Sequence, residues 1–175
     1  MPVRPRLSAA SGLSALLLCL TLAGCGFQLR GAQSMPFPSL YVAMSENSEI
    51  STNLKRQIRA NAATELVGNR EGAAAILSQQ GETRMRQALS YNAAGRVREI
   101  QLQYRTTFLL QDPQGKSLST PMEIYLTRDV TYDDSQVLSK TQEEELLWQD
   151  MQRDLVQQLL RRMSKAKPPA AADED

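Results

Sequence analysis

Histidine is absent from the 175 residues of this chain, and cysteine occurs only twice, at Cys19 and Cys25. Histidine is the commonest general base and the commonest transition-metal ligand in proteins, so its absence removes the usual catalytic dyads and most metal sites. No Ser-His or Cys-His arrangement, phosphate-binding loop or G-x-S-x-G pattern is present. The sequence therefore favours a non-enzymatic protein with no catalytic residues, no metal and no cofactor.

The chain also has no large excess of either charge, since it contains 20 basic and 19 acidic residues and its net charge is +1. Such a balance provides no overall attraction to nucleic acid or to an anionic membrane surface. We therefore expect no nucleic-acid partner, and any attachment to a membrane must come from a local feature of the chain.

A candidate for that feature lies at the N-terminus. Arg4 and Arg6 precede a predominantly apolar run over residues 13–22. A membrane-spanning helix needs about 20 apolar residues, and this run has about half of them. The run ends in Leu-Ala-Gly-Cys, which is typical of a bacterial lipoprotein signal peptide. We interpret residues 1–24 as such a signal peptide, the alternative being a transmembrane helix.

Cleavage after Gly24 leaves Cys25 as the first residue of the mature chain and as the point of lipid attachment. Two or more acyl chains make a membrane attachment stable, and the similarity to bacterial lipoproteins implies three on Cys25. The next residue is Gly26, not the aspartate associated with retention in the inner membrane of enteric bacteria. Resemblance to that sorting rule favours the cell outer membrane.

The remainder of the chain suits one domain with a single core. Glycines and prolines recur before residue 39, which predicts a lipidated N-terminal tether over residues 25–38. A single α+β domain is predicted over residues 39–164. The residues 165–175 begin with a Lys-Ala-Lys-Pro-Pro sequence and are predicted to be a disordered tail.

Two segments have helical periodicity. Apolar residues recur at intervals of four from Ile50 to Leu66, which predicts an amphipathic helix over residues 49–67 that ends at Gly68 and Asn69. Thr141 and Glu144 fit a capping box, which predicts the start of a second helix that runs to about residue 164. The predicted buried stripe of this second helix is formed by Leu147, Met151, Leu155 and Leu159.

Strand periodicity covers a short segment near residues 40–44 and most of residues 74–132. Gly81 predicts a bulge in the first of the later strands, and turn sequences lie at residues 92–95 and 112–115. The predicted fold is a two-layer α+β sandwich in which two helices pack on a four-stranded, mostly antiparallel sheet, in the order β-α-β-β-β-α. Its outer face is expected to be polar and to carry the function, the alternative being an ordinary solvated face. This face comprises Gln101, Gln103, Arg105, Thr107, Glu123, Tyr125 and Thr127.

Three features of the chain resemble the LPS-assembly lipoprotein family LptE. They are the segment Cys-Gly-Phe-Gln-Leu-Arg-Gly at residues 25–31, the order of the predicted elements, and the Lys-Thr-Gln-Glu-Glu sequence at residues 140–144 that leads into the last helix. The resemblance covers residues 25–164. It implies an outer-membrane lipoprotein that sits as a plug inside the β-barrel LptD, helps that barrel to assemble, and binds lipopolysaccharide.

The resemblance also implies where lipopolysaccharide binds. Lys140 matches a family position before the last helix, and Arg96 and Arg98 lie by the connection where the family has another basic residue, here shifted past Gly95. Cations at these places suit the phosphates of lipid A and the inner core. Arg84 and Arg86 belong to the same region. For these two residues, and also for Arg96 and Lys140, the alternative is that the charges deter aggregation at a strand edge.

Two other functions remain open from the sequence. The first is a structural or adaptor lipoprotein of another envelope complex, which would dock a partner on the polar sheet face. The second is a hydrolase that uses carboxylates such as Glu123 and Asp129. Six positions along one strand place these two carboxylates ~20 Å apart, which is too far for a catalytic pair.

Overall fold

The computed structural model describes residues 34–60, 63–132 and 137–167. Within these ranges five strands and two helices follow one another in the order β-α-β-β-β-β-α. The strands are β1 (Ser39–Ala43), β2 (Glu65–Leu66), β3 (Ala75–Tyr91), β4 (Val97–Gln111) and β5 (Met122–Thr131), and the helices are α1 (Glu49–Ala60) and α2 (Val137–Met163).

The five strands form one mixed sheet in the order β2-β1-β3-β4-β5. β1 pairs in parallel with both β2 and β3, whereas β3, β4 and β5 are antiparallel. The α+β class with two helices is confirmed. The prediction of four strands in a mostly antiparallel sheet is wrong in detail, because it missed β2 and the parallel pairing of β1.

The additional strand β2 replaces the end of the predicted first helix. α1 ends at Ala60 instead of residue 67, and Leu66 pairs with Leu40 in the sheet. The backbone N–H of Glu65 donates to Pro38 O (2.8 Å), and that of Val67 donates to Leu40 O (3.0 Å). These bonds provide partners for backbone groups at the outer edge of β1, which would be left unpaired if the first helix were longer.

Two long hairpins build the rest of the sheet. Gly81 has φ +70°, and the register of β3 against β4 shifts between Gln80 and Glu82, so the predicted bulge is confirmed. At the next connection Gly95 N–H donates to Asn92 O (2.9 Å). β4 and β5 pair as predicted, across a turn in which Gly115 N–H donates to Asp112 O (3.0 Å).

The core lies between the two helices and one face of the sheet. Alternate side chains of β4 and β5 point into it, and the apolar stripes of α1 and α2 cover them. Its largest fully buried side chains include Phe37, Leu40, Ile50, Leu54, Ile58, Leu77, Leu102, Tyr104, Phe108, Ile124 and Met151. Because both helices pack on the same face, the other face of the three long strands is left uncovered.

Packing extends beyond residues 39–164 at both ends. Met35 and Phe37, which the sequence placed in the tether, are 8% and 1% exposed and belong to the core. Lys167 N–H donates to Leu118 O (2.9 Å), and Ala166 packs against the core, although the sequence placed both in the disordered tail. The packed domain is therefore longer than predicted.

α2 also begins earlier than predicted. Its first residue is Val137, so Thr141 lies inside the helix and the prediction of a capping box there is wrong. The Lys140 ammonium lies 2.8 Å from Glu143, a side chain three positions along the same helix. Such an (i, i+3) pair supports the extra helical turn.

Replacing Leu155 of α2, which is fully buried, by alanine is expected to lower the free energy of unfolding by about 2 to 5 kcal/mol, since the substitution removes apolar contacts and leaves a cavity. Leu146→Ala in the same helix is the matched control, because Leu146 is 63% exposed. It is expected to change stability by less than about 0.5 kcal/mol. Urea unfolding followed by circular dichroism measures both. Equal losses would contradict the placement of the helix.

Candidate functional site

The uncovered face of β4 and β5 is polar, as the sequence predicts. Arg105 lies 3.3 Å from the Glu123 carboxylate, and its guanidinium lies 4.9 Å from the centre of the Tyr125 ring. Gln101 donates to Asp129 (2.8 Å) across the two strands. The charges on this face therefore meet partners within the sheet, and the face presents hydrogen-bonding groups instead of a field of one sign.

Arg96 and Arg98 lie at one end of the β3–β4 hairpin, and both are exposed. The Asn92 side-chain oxygen accepts from the backbone N–H groups of Ala94 and Arg96, each at 3.0 Å. Arg98 O accepts from the backbone N–H of Tyr132 (2.8 Å) at the end of β5. These bonds hold the backbone that presents the two arginines.

Lys140 lies in the first turns of α2. Its ammonium donates to Glu143 (2.8 Å), and its side chain is only 19% exposed. The sequence alone predicts that the Lys140 ammonium is available to an anionic ligand. The structure shows that it is held by a carboxylate, so an anionic ligand must compete with Glu143 for it.

Two clefts that share Arg86 and Tyr132 lie near these residues. The first, of about 450 Å³, lies along α2 and is lined by Arg86, Tyr132, Thr141, Gln142, Glu144, Glu145 and Trp148. The second, of about 260 Å³, is lined by Arg86, Ala88, Val97, Ile100 and Tyr132. Thr141 is next to Lys140 in sequence, and Val97 lies between Arg96 and Arg98. The three predicted residues therefore lie at the end of the domain where the two clefts are, although none of them lines either cleft.

A cluster at the inner wall of the first cleft was not predicted from the sequence. Arg86 lies 3.1 Å from Glu144, which also accepts from the indole N–H of Trp148 (3.3 Å). The Trp148 ring meets Tyr104 edge-on, with 6.2 Å between ring centres. The sequence signal that could have found it is the two-residue spacing of Arg84 and Arg86, which places both on the helix side of β3.

Tyr104 is the most constrained member of this cluster. It is fully buried, and among the described residues its hydroxyl has no hydrogen-bond partner. The Arg84 guanidinium lies 4.9 Å from the centre of its ring. Burial raises the pKa of Tyr104 far above its ordinary value; the nearby Glu82 carboxylate raises that pKa further and Arg84 opposes it. The phenol is therefore kept neutral.

Within the described ranges, no three histidine, cysteine or acidic side chains come together in a way that could hold a metal ion. None of the described helices combines the length and the apolar character needed to cross a membrane.

The chain thus forms a two-layer α+β domain with one uncovered polar sheet face and a cleft lined by charged and aromatic side chains. The family model described as LptE, lipopolysaccharide-assembly, matches residues 37–163. The chain therefore belongs to the LptE family, a non-catalytic family of lipoproteins that act in lipopolysaccharide assembly. No curated protein sequence matches it significantly.

Solved structures of lipoproteins share this fold. The solution NMR structure of uncharacterized lipoprotein B from Nitrosomonas europaea is 38% identical with a TM-score of 0.68, covering 79% of this chain and 90% of that one. Rare lipoprotein B from Shewanella oneidensis is 26% identical with a TM-score of 0.64, covering 73% and 94%. A minor lipoprotein from Acinetobacter baumannii is 26% identical with a TM-score of 0.61, covering 75% and 95%.

The buried phenol predicts a loss of stability in alkali. Above about pH 10 the unfolded chain ionises Tyr104 while the folded chain keeps it neutral, so stability falls by about 1.4 kcal/mol for each further pH unit. We expect Tyr104→Phe to remove that part of the loss. Urea unfolding between pH 8 and pH 11 measures it. Tyr125→Phe, which alters a ring that is 46% exposed, is the control. An unchanged pH dependence in Tyr104→Phe would show that the phenol ionises in the folded state.

Proposed function

We propose that this protein is an outer-membrane lipoprotein that assembles lipopolysaccharide at the cell surface together with a β-barrel like LptD. Within that complex it plugs the barrel, aids its assembly, and binds lipopolysaccharide. The observation that carries the proposal is the family match over residues 37–163, on a domain whose sheet leaves one polar face uncovered.

The polar face supports the role of a plug. Large outer-membrane barrels have a polar interior, which calls for hydrogen-bonding groups on the protein that fills it. Arg105, Glu123 and Tyr125 are exposed on this face, and the ion pair between the first two prevents an unbalanced charge. A lumen lined by mixed polar groups could pair with such a face at little electrostatic cost.

Lipopolysaccharide binding is assigned to the end of the domain where Lys140, Arg96 and Arg98 lie. Phosphate groups form strong, charge-assisted hydrogen bonds with such cations. Because Lys140 already pairs with Glu143, a phosphate must replace that carboxylate. The binding should weaken with increasing salt, since salt screens the attraction between the phosphates and the exposed Arg96 and Arg98.

Membrane attachment is assigned to Cys25, with residues 1–24 removed as a signal peptide. Both assignments rest on the sequence, because these residues lie outside the described ranges. Lipid chains on Cys25 would keep the domain next to the membrane in which the barrel resides.

Purification of the lipidated protein from detergent-solubilised membranes tests the partnership. We expect a large outer-membrane barrel to co-purify, and depletion of the protein to leave that barrel misassembled and lipopolysaccharide missing from the cell surface. Capture of only a soluble periplasmic protein or an inner-membrane transporter would instead favour an adaptor lipoprotein of another envelope complex.

Reversing two of the cations tests the lipopolysaccharide site. Lys140→Asp combined with Arg96→Asp is expected to weaken binding of purified lipopolysaccharide by about tenfold or more, because two charge-assisted contacts are lost. The matched control is Arg56→Asp combined with Arg153→Asp, which reverses two cations beside a different cleft between α1 and α2. Circular dichroism checks the fold of each variant. Equal affinity in the folded double variant and in the wild type would reject this site.

A further inference from the structure

The C-terminal end of α2 carries a cluster of cations. Residues 155–167 contain no acidic side chain and four basic ones, Arg161, Arg162, Lys165 and Lys167, which we call the basic cluster. Within the described ranges none of the four forms an ion pair. Basic residues in a last helical turn stabilise the helix dipole, but Lys165 and Lys167 lie beyond the last residue of α2. That role therefore does not account for them.

A cleft of about 320 Å³ opens beside the basic cluster. It is lined by residues 118–122, which lead into β5, and by Arg162, Lys165, Ala166 and Lys167. None of these lining residues is acidic, and residues 118–122 include a serine and a threonine with hydroxyl groups. Cations and hydroxyls donate hydrogen bonds to phosphate oxygens. The cleft therefore suits a phosphate group.

Two carboxylates close in sequence to this lining have other partners. The Glu123 carboxylate lies 3.3 Å from the Arg105 guanidinium on the uncovered face, and only the Glu123 backbone oxygen accepts from Arg162. Asp112 is buried, and its side chain accepts from the backbone N–H of Lys116 (2.8 Å). Neither carboxylate therefore pairs with the basic cluster.

The topology of the sheet places the basic cluster at the end of the domain where β1 begins. Leu40 in β1 pairs with Ala75 at the start of β3, and Ile76 pairs with Gln111 at the end of β4. The connection that follows Gln111 lines the cleft beside the basic cluster. The start of β1 and the basic cluster therefore share one end of the sheet.

The chain that leads back to Cys25 leaves the domain at this same end. Met35 belongs to the core and follows Cys25 by 10 residues, and a chain of that length spans at most about 35 Å. α2 has 27 residues, so its two ends lie about 40 Å apart. Lipid on Cys25 therefore holds the basic cluster nearer to the membrane than the end of the domain with Lys140.

We infer that the basic cluster binds phosphate groups of anionic phospholipids in the membrane that holds the lipidated Cys25. The inference rests on the proposed function, which supplies the lipid at Cys25. A group of basic residues beside a lipid anchor acts as a second signal for membrane binding, because anionic head groups attract it. The two contacts together fix the orientation of the domain, with the basic cluster at the membrane surface and Lys140 directed away from it.

Vesicle binding by the full mature chain measures this attraction without the contribution of the acyl chains. Residues 25–175 carrying Cys25→Ser are mixed with vesicles of phosphatidylcholine alone, or of phosphatidylcholine and phosphatidylglycerol, and sedimented. We expect at least about tenfold stronger binding to the anionic vesicles, lost at high salt because salt screens the attraction. These vesicles contain no lipopolysaccharide, so the phospholipid alone accounts for the binding.

Reversal of two cations tests the assignment to the basic cluster. Lys165→Glu with Lys167→Glu is expected to abolish the preference for anionic vesicles, since two exposed attractive charges become repulsive. The matched control, Arg56→Glu with Arg153→Glu, reverses the same amount of charge beside the cleft between α1 and α2 and should keep the preference. Circular dichroism checks the fold of each variant. Equal binding of the wild type to both kinds of vesicle, or an equal loss in both folded variants, overturns the inference.

The last three residues of the chain, Asp173, Glu174 and Asp175, lie outside the described ranges and are the competing partners for the basic cluster. The variant Asp173→Asn, Glu174→Gln, Asp175→Asn removes these charges. The inference expects a preference for anionic vesicles in both the wild type and this variant. A preference that appears only in the variant shows that the chain's own end occupies the basic cluster, which overturns the inference.

The orientation of the domain is tested on the lipidated protein. Because lipid occupies Cys25 and Cys19 belongs to the signal peptide, an introduced cysteine is the only free thiol. Head groups that carry a nitroxide are expected to quench a dye at Gln114→Cys, at the end of the sheet with the basic cluster, more than a dye at Ala94→Cys in the β3–β4 turn. Equal quenching overturns the inference. An unmodified Cys25 in this preparation instead rejects the lipid attachment of the proposed function, whereas vesicle binding does not depend on that lipid.

Discussion

The alternation of side chains along β4 is the constraint on which the rest of the structure depends. Leu102, Tyr104, Thr106 and Phe108 are buried, while the odd-numbered residues between them face away from the helices. A register slip of one residue would exchange the two faces, placing amides and an arginine in the core. The pairing of β4 with both of its neighbours is therefore fixed by burial, and this fixes which face of the sheet α1 and α2 cover.

This same alternation explains what could be predicted from the sequence. The strands of the two long hairpins, the Gly81 bulge and the two turns follow from local patterns, and the apolar stripe of α2 follows from Met151, Leu155 and Leu159. The end of α1 could not be predicted in this way, because the four-residue spacing continues through Leu66. Pairing of that residue with β1 is a long-range effect that local periodicity does not contain.

The same distinction between local patterns and long-range contacts applies to the residues of the candidate site. Lys140, Arg96 and Arg98 were reached through resemblance to a family, and the structure places them at one end of the domain. The contact of Arg86 with Glu144 was missed because it depends on how α2 docks against β3. No local pattern in either segment indicates that the two pack together. Arg84 and Arg86 lie on the part of β3 with which β1 does not pair, so charges that deter aggregation at a strand edge stay the alternative interpretation of these two residues.

The position of α2 after every strand of the sheet has a consequence for the order of folding. Met151, Leu155 and Leu159 complete the core, yet they follow all five strands along the chain. When the chain emerges N-terminus first from a ribosome or a membrane channel, the apolar side of the hairpins therefore stays uncovered until α2 follows. Such an interval exposes an emerging chain to aggregation, so a holding chaperone benefits this protein most just before α2 has emerged.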